Sequence, residues 1–374
     1  TGDFYNEAIS GQVNMAVAPR QPGSSIKPLT YAAAFEKGWT PATVIWDVPS
    51  EFPPSGDHND TREPYKPVNY DGRFHGPVTV RIALSNSFNI PAVKALDFIG
   101  IYDNPETSEK EGFIAFSQRL GITTLNRADY GLALTLGGGD VSLLELTGAY
   151  AVFANGGVRI PPVAITRIED RTGKVIYDYK LPGGDQVIRP EHAYFIASIL
   201  SDNDARSWMF GPNSVINLPF SVAAKTGTTN DFRDNWTLGF TPDLAVGVWV
   251  GNADYTPMVN TTGLTGAAPI WAQFFEQAIG MLPDAPKPFV RPAGVVDRIV
   301  CRWSGAEPSE WCPDQINEIF AYDQLPPDKN SDLWRRVKVD TWTGLLASPA
   351  CGEYVEDRTV ANITDKWARK WLTE

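Results

Sequence analysis

RQPGSSIKP, residues 20–28, runs directly into LTYAAAFEKG, residues 29–38. The second string is built of strong helix formers and stops at Gly38, the residue type favoured just past a helix C-terminus. The helix therefore begins inside the first string, with Ser24 at its N-terminus. Pro28 falls at the end of the first turn, where a missing N–H costs the helix little. Ser24 and Lys27 are three apart and share one helix face. A small hydroxyl and an amine are thus set side by side at the mouth of an apolar helix fit for burial.

Outward from this helix the hydrophobic period changes several times. VNMAVA (13–18) reads as a short strand, and residues 47–77, rich in Pro, Asp, Asn and Gly, as a long surface loop or small subregion. VTVRIALSNSFNIPAVKALDFIG (78–100) reads as a helix, a break at SNSFN, and a second helix with Pro91 in its first turn and Gly100 at its end. Further helices are expected over about 107–120, over DVSLLELTGAYAVFANGG (140–157) with Asp140 as N-cap and Gly156 beyond its end, and over about 190–201 from Pro190. VAITRIEDRTGKVIYDY (163–179) alternates around Arg-Thr-Gly as a hairpin. FSVAAKTGTT, WTLGFTPD and LAVGVWVGN, between residues 220 and 252, read as adjacent strands, the last two joined by a tight Thr-Pro-Asp turn, and APIWAQFFEQAIG (268–280) as a closing helix. Residues 282–294 carry four prolines and read as a linker. Residues 295–374 read as a separate small module of short strands.

The chain has 374 residues and a net charge of −12. That length accommodates one large domain and a smaller one, and that charge argues against a nucleic-acid partner, which needs a basic face. No apolar run reaches the roughly 18 residues of a membrane span, and the N-terminus lacks a signal-peptide layout. His58, His75 and His192 form no pair at ligand spacing, so no metal site and no cofactor is expected. The spacing of Cys301 and Cys312 suits a disulfide in an oxidising compartment, leaving Cys351 over; three unpaired thiols is the other reading.

Three strings carry chemistry: Ser24-Ser25-Ile26-Lys27, Ser87-Phe88-Asn89 and Lys225-Thr226-Gly227-Thr228. Taken singly each is weak. Ser24 alone reads as an N-cap, Lys27 as a solvated charge, and Lys225 as a charge discouraging strand pairing at a sheet edge. Gly137 to Gly139 lack the Lys-Ser/Thr of a phosphate loop and read as a tight loop before Asp140. As an ordered set at a helix start, a helix-to-helix loop and a strand, the three strings are specific.

That set resembles the motifs of the serine acyltransferases that bind penicillin. RQPGSSIKP, VNYDGRFHGPVTVRIALSNSFNIPAVKAL, LTLGGGDVSLLELTGAYAVFANGG and AAKTGTTNDFRDNWTLGFTPDLAVGVWVGN are similar to the transpeptidase domain of class A penicillin-binding proteins, from about residue 3 to 280. The resemblance implies an α+β fold of the penicillin-binding and β-lactamase-like kind: an antiparallel sheet flanked by helices, plus a helical subdomain contributing Ser87 and Asn89. The expected layout is a transpeptidase domain over 1–281, a Pro-rich linker over 282–294 and a small C-terminal β-rich extension over 295–374.

The implied function is D,D-transpeptidation of peptidoglycan stem peptides through a serine acyl-enzyme formed from D-Ala-D-Ala ends, blocked by β-lactam antibiotics. Ser24 is the implied nucleophile and Lys27 its base, since burial and a neighbouring cation bring a lysine pKa down to about 7 to 8. Ser87 would pass a proton to the leaving amine, and Asn89 hold the substrate amide. Lys225 would lower the pKa of that hydroxyl and attract the terminal carboxylate, with Thr226 and Thr228 bonding to it. Gly227 lets the substrate backbone lie against the strand. The backbone N–H groups of Ser24 and Thr228 form the implied oxyanion hole. A D,D-carboxypeptidase, a β-lactamase and a non-catalytic β-lactam or peptidoglycan sensor share the same set. Against a β-lactamase, ITTLN (122–126) puts Ile122 where the deacylating glutamate would stand. The family usually carries a strand pair, a glycosyltransferase domain and a membrane anchor ahead of the point where this chain starts. An extracytoplasmic location is therefore expected, with the membrane reached only through such an anchor.

Overall fold

The computed structural model, which describes residues 4–104, 106 and 111–373, places a 3-10 turn at Gly23–Ile26 and runs it into helix α1, Lys27–Glu36. Pro28 lies in the first turn, and Gly38 follows the end with φ +99°. Strand β1 (Val44–Asp47) pairs antiparallel with β2 (Gly76–Thr79) around the long polar loop. Helices α2 (Val80–Ser85) and α3 (Asn89–Ile99) are broken between them, with Ser87 at φ +62°. Helix α4 is Phe113–Arg119; residues 107–110 of the expected helix lie outside the described residues. Helix α5 (Leu143–Ala154) comes after it. Next are β3 (Val158–Arg159), the exposed hairpin β4 (Arg167–Glu169) and β5 (Val175–Asp178), and β6 (Asp185–Gln186), which pairs with β3.

Helices α6 (Pro190–Leu200) and α7 (Asn203–Phe210) precede the central sheet. Its strands β7 (Ala223–Thr228), β8 (Asp234–Phe240) and β9 (Ala245–Gly251) are antiparallel in the order β7-β8-β9. Helix α8 (Ala268–Ile279) closes this part. The two sheet faces follow the period of two. Ala223, Trp236, Leu238 and Phe240 join the main core with Phe35 of α1, Tyr150 and Phe153 of α5 and Phe195 of α6. Ala224 and Val246 face the other way, onto Trp271 and Phe275 of α8.

Beyond residue 294, strands β10 (Val295–Cys301) and β11 (Gln315–Ala321) form one hairpin, β12 (Trp334–Asp340) and β13 (Val355–Ala361) another, and helix α9 is Lys366–Thr373. A disulfide joins Cys301 to Cys312, and Cys351 is free. Val295 and Ala321 enter the main core. Arg81 of α2 pairs with Glu318 at 2.6 Å, and Gln324 Nε2 donates to the carbonyls of Phe35 (2.9 Å) and Trp39 (2.6 Å). Among the described residues no helix is long and apolar enough to cross a membrane.

Three local readings change. Residues 13–18 form turns rather than a strand, because Asn14 takes the N–H groups of Val17 and Ala18 on its carbonyl and that of Ala16 on its side chain. The N-cap of α5 is Ser142, whose side chain accepts the Glu145 N–H, instead of Asp140. Helix α7, capped by Asp202 onto the Ala205 N–H, arises from a polar stretch with little apolar periodicity.

Close backbone approach underlies the Ser24 turn. Gly23 has φ +55°, and a Cβ there would lie 2.6 Å from Thr228 O and 2.7 Å from Thr228 N. Gly23→Ala is expected to cost about 2 kcal/mol or more in denaturant unfolding, because backbone on both sides has to move.

Candidate active site

The turn carrying Ser24 is wedged between β7 and the Gly137 to Gly139 loop. A Cβ on Gly227 would lie 2.2 Å from Pro22 O, and one on Gly137, with φ +94°, 2.2 Å from Gly23 N. The place a Gly227 side chain would take is thus filled by the turn itself, and that approach is what first requires glycine. Trp236 Nε1 donates to Gln21 O at 2.8 Å, and the Tyr150 hydroxyl to Ser25 O at 2.6 Å, so the turn is pinned from both sides. Ser25 Oγ donates back to Pro22 O at 2.6 Å. Ser24 is left half-buried, and its Oγ has no hydrogen bond among the described residues.

Strand β7 is the edge of its sheet, and its open edge faces this turn. Thr229 N–H donates to Asp234 O, opposite it in the ladder. Antiparallel alternation then points the odd-numbered N–H groups of β7 at β8 and the Thr228 N–H outward, toward Gly23. Lys225 shares the face of Ala223, which is turned to the helices; Thr226 and Thr228 occupy the opposite face. Thr228 Oγ1 accepts the Gly263 N–H at 2.9 Å, which leaves its own proton available to donate.

Lys27 is fully buried. Its Nζ lies 2.6 Å from Ser87 O, 3.1 Å from Phe88 O, 2.7 Å from Asn89 Oδ1 and 3.4 Å from Ser87 Oγ. Lys225, 2% exposed, donates to Ser87 Oγ and to Thr226 O, each at 2.8 Å. The hydroxyl placed between two amines is therefore that of Ser87, and the Ser24 hydroxyl expected beside Lys27 makes no hydrogen bond to either lysine among the described residues. The contacts of Lys27 run to the Ser87–Asn89 loop because the left-handed conformation of Ser87 turns that loop's carbonyls inward. Burial holds the Lys27 amine well below the usual lysine range, the Lys225 charge lowers it further, and Asp47 opposes both. Burial brings Lys225 down to about 7.

Asn89 is half-buried; its Nδ2 donates to Val68 O and its N–H to Asn69 Oδ1, both at 2.7 Å. The loop is also tied to α7, since Asn86 Nδ2 donates to Ala205 O (2.7 Å) and Asn86 Oδ1 accepts the Met209 N–H (3.0 Å). Sequence reasoning missed α7, Asn86, Asn69 and Asp47 as supports of this loop. Ile122 is buried in the core, and neighbouring Thr123 and Thr124 donate their hydroxyls to Glu145, each at 2.6 Å. Burial alone would raise the Glu145 carboxyl; those hydroxyls outweigh it and hold it below its ordinary value.

A model of the penicillin binding protein transpeptidase domain matches residues 5–276. The chain is 32% identical over 283 residues to penicillin-binding protein 1A of Neisseria meningitidis serogroup B, an overlap covering 74% of this chain and 33% of that protein. It is 34% identical over 285 residues to penicillin-binding protein 2D of Bacillus subtilis, covering 74% of this chain and 38% of that one. The chain thus spans about a third of the length of these relatives. Among solved structures, penicillin-binding protein 1A from Haemophilus influenzae superposes with a TM-score of 0.71 at 27% identity, over 85% of this chain and 50% of that chain. The mixed helix and sheet fold is the penicillin-binding and β-lactamase-like one that the sequence implies.

Proposed function

Since the chain belongs to the penicillin-binding protein transpeptidase family, we propose that it performs the acyl-transfer step of peptidoglycan cross-linking with Ser24 as nucleophile. The observation that carries the assignment is the line Lys27–Ser87–Lys225, two buried amines on one half-buried hydroxyl, with Lys27 three residues on from the half-buried Ser24. A lysine of ordinary pKa is fully protonated at neutral pH and useless as a base, whereas these two are desolvated and depressed.

On this reading Ser24 Oγ attacks the carbonyl between the two D-Ala residues of a stem peptide and gives its proton to Lys27. The tetrahedral oxygen meets the N–H groups of Ser24 and Thr228. The Ser87 hydroxyl, held by Lys225, protonates the departing D-Ala amine and recovers a proton from Lys27. Asn89 holds the substrate amide, and Lys225, Thr226 and Thr228 receive the terminal carboxylate. A β-lactam takes the same course, except that its leaving amine stays attached. Residues 1–281 make the catalytic domain, 282–294 the linker and 295–374 an extension docked on it. The Cys301–Cys312 disulfide supports an extracytoplasmic location.

The fate of the acyl-enzyme separates the related reactions. With Ile122 in the core and Glu145 bonded to Thr123 and Thr124, this part of the fold offers no deacylating base. The acyl-enzyme is expected to await an amine. Synthetic peptides ending in D-Ala-D-Ala, given with and without an acceptor amine, should yield a new amide in its presence and little hydrolysis in its absence. Release of D-Ala without amide product would make the chain a carboxypeptidase, and rapid turnover of a penicillin adduct a β-lactamase. Absence of any adduct would leave the sensor reading.

A further inference from the structure

Asp47, at the end of β1, is fully buried, and none of the catalytic steps uses it. Its two carboxylate oxygens lie 2.9 and 2.7 Å from Asn69 Nδ2, and the same group binds His75 Nδ1 and accepts the His75 N–H at 3.1 Å. Asn69 turns its other end toward the site: its Oδ1 accepts the Asn89 N–H at 2.7 Å. Asn89 Oδ1 in turn accepts from Lys27 Nζ at 2.7 Å. A line of hydrogen bonds, passing through the main-chain N–H and the side chain of Asn89, therefore joins a buried carboxylate to the buried amine. The His75 ring stacks on Phe88, between Ser87 and Asn89, with centroids 3.9 Å apart and planes at 12°. Trp208 of α7 closes edge-on over both rings, at 5.0 and 5.6 Å.

We propose that Asp47 is a positioning residue for acylation: through Asn69 it holds the Ser87–Asn89 loop against Lys27 and supplies a buried negative charge facing the Lys27 amine. The inference rests on the serine–lysine reading of the site. The titratable groups facing Asp47 are Lys27 and Tyr31 of α1, His75, and Lys94 of α3, whose Nζ donates to Trp46 O. Asp71 stands behind His75 at 3.2 Å, and Lys225 approaches from β7. Burial raises the Asp47 carboxyl, and the bonds from Asn69 and His75 offset only part of that. The Asp47 charge favours the ammonium form of Lys27.

The test measures the second-order rate of acylation by a fluorescent penicillin against pH in the wild type, Asp47→Asn and Asn69→Ser. Removing the charge makes the Lys27 ammonium harder to keep. Asp47→Asn should therefore move the acid limb of the profile down by about one pH unit and slow the plateau about tenfold or more. Asn69→Ser breaks the line while His75 still bonds the Asp47 carboxylate, so its plateau should fall about tenfold with the acid limb in place. Loss of folded protein alone would lower the labelled fraction equally at every pH and move no limb. An unmoved limb in folded Asp47→Asn, or a wild-type rate in Asn69→Ser, overturns the proposal; where Asp47→Asn does not fold, the second variant decides. A wild type that takes no label overturns the serine–lysine reading and this inference with it. A labelled wild type with an unmoved limb in the variant overturns this inference alone.

Discussion

Ser24→Ala is expected to lose covalent capture of penicillin by at least about four orders of magnitude in rate, while its stability stays within about 0.5 kcal/mol of the wild type. The two halves of this expectation have separate causes. Ser24 is half-buried and its Oγ is without a hydrogen bond among the described residues, so alanine removes no hydrogen bond and leaves no buried partner unsatisfied. The turn is held instead by its neighbours, through Trp236 on Gln21, Tyr150 on Ser25 and the glycine contacts with β7. Alanine also keeps the N–H assigned to the oxyanion, so the pocket still binds penicillin reversibly. Fluorescence on a denaturing gel reads the first half, and urea unfolding the second. Loss of label accompanied by loss of fold would mean that Ser24 is a structural residue.

Lys27→Met is expected to slow acylation by about three orders of magnitude, the order of a general base together with its hydrogen bonds. The remaining rate should also lose its acid limb, since the titrating amine is gone. Methionine approximates the length of the stem, but Ser87 O, Phe88 O and Asn89 Oδ1 lose their donor. Left dry, such groups cost about 1–3 kcal/mol each, offset in part by relief from burying an amine. The stability of this pair also depends on pH in a defined direction. Lys225 titrates at about 7 when folded, and Lys27 well below the lysine range, against roughly 10.4 for an unfolded lysine. Between those limits the unfolded chain binds more protons than the folded one, so stability rises with pH. For Lys225 the penalty of burying the charge is full below about pH 7 and gone above the unfolded value; for Lys27 it fades over the same upper range. Wild-type stability should therefore gain on that of Lys27→Met as the pH rises toward the unfolded lysine value of roughly 10.4, as urea unfolding over that approach would show. A constant difference would mean that Lys27 is not depressed.

Much of this site is legible in the sequence because its chemistry sits on well-patterned elements. The helix after Ser24, the break around Ser87 and the alternating strand around Lys225 each announce themselves through apolar period, glycine and proline. What brings them together is harder to read. Asp47, Asn69 and His75 lie in or beside a long polar loop where no period exists, and a buried aspartate has no signature apart from its surroundings. Lys27 turning to Ser87 rather than Ser24 comes from the positive φ of Ser87, a conformation that the serine itself does not signal. Gly137, Gly23 and Gly227 are needed because backbones from three distant segments touch, which only the folded chain reveals. The N-cap of α5 shows a smaller error of the same kind: Asp140 and Ser142 are both good caps, and local chemistry alone does not choose between them.

The most direct test is a peptide map of the penicillin adduct by mass spectrometry. Trypsin cuts after Arg20 and Lys37 but not between Lys27 and Pro28, so Ser24 travels in the peptide 21–37. One intact penicillin mass is expected on that peptide, fragmenting to Ser24, and none in Ser24→Ala. An adduct on Ser87, the hydroxyl lying between the two amines, or on any other residue, would contradict it.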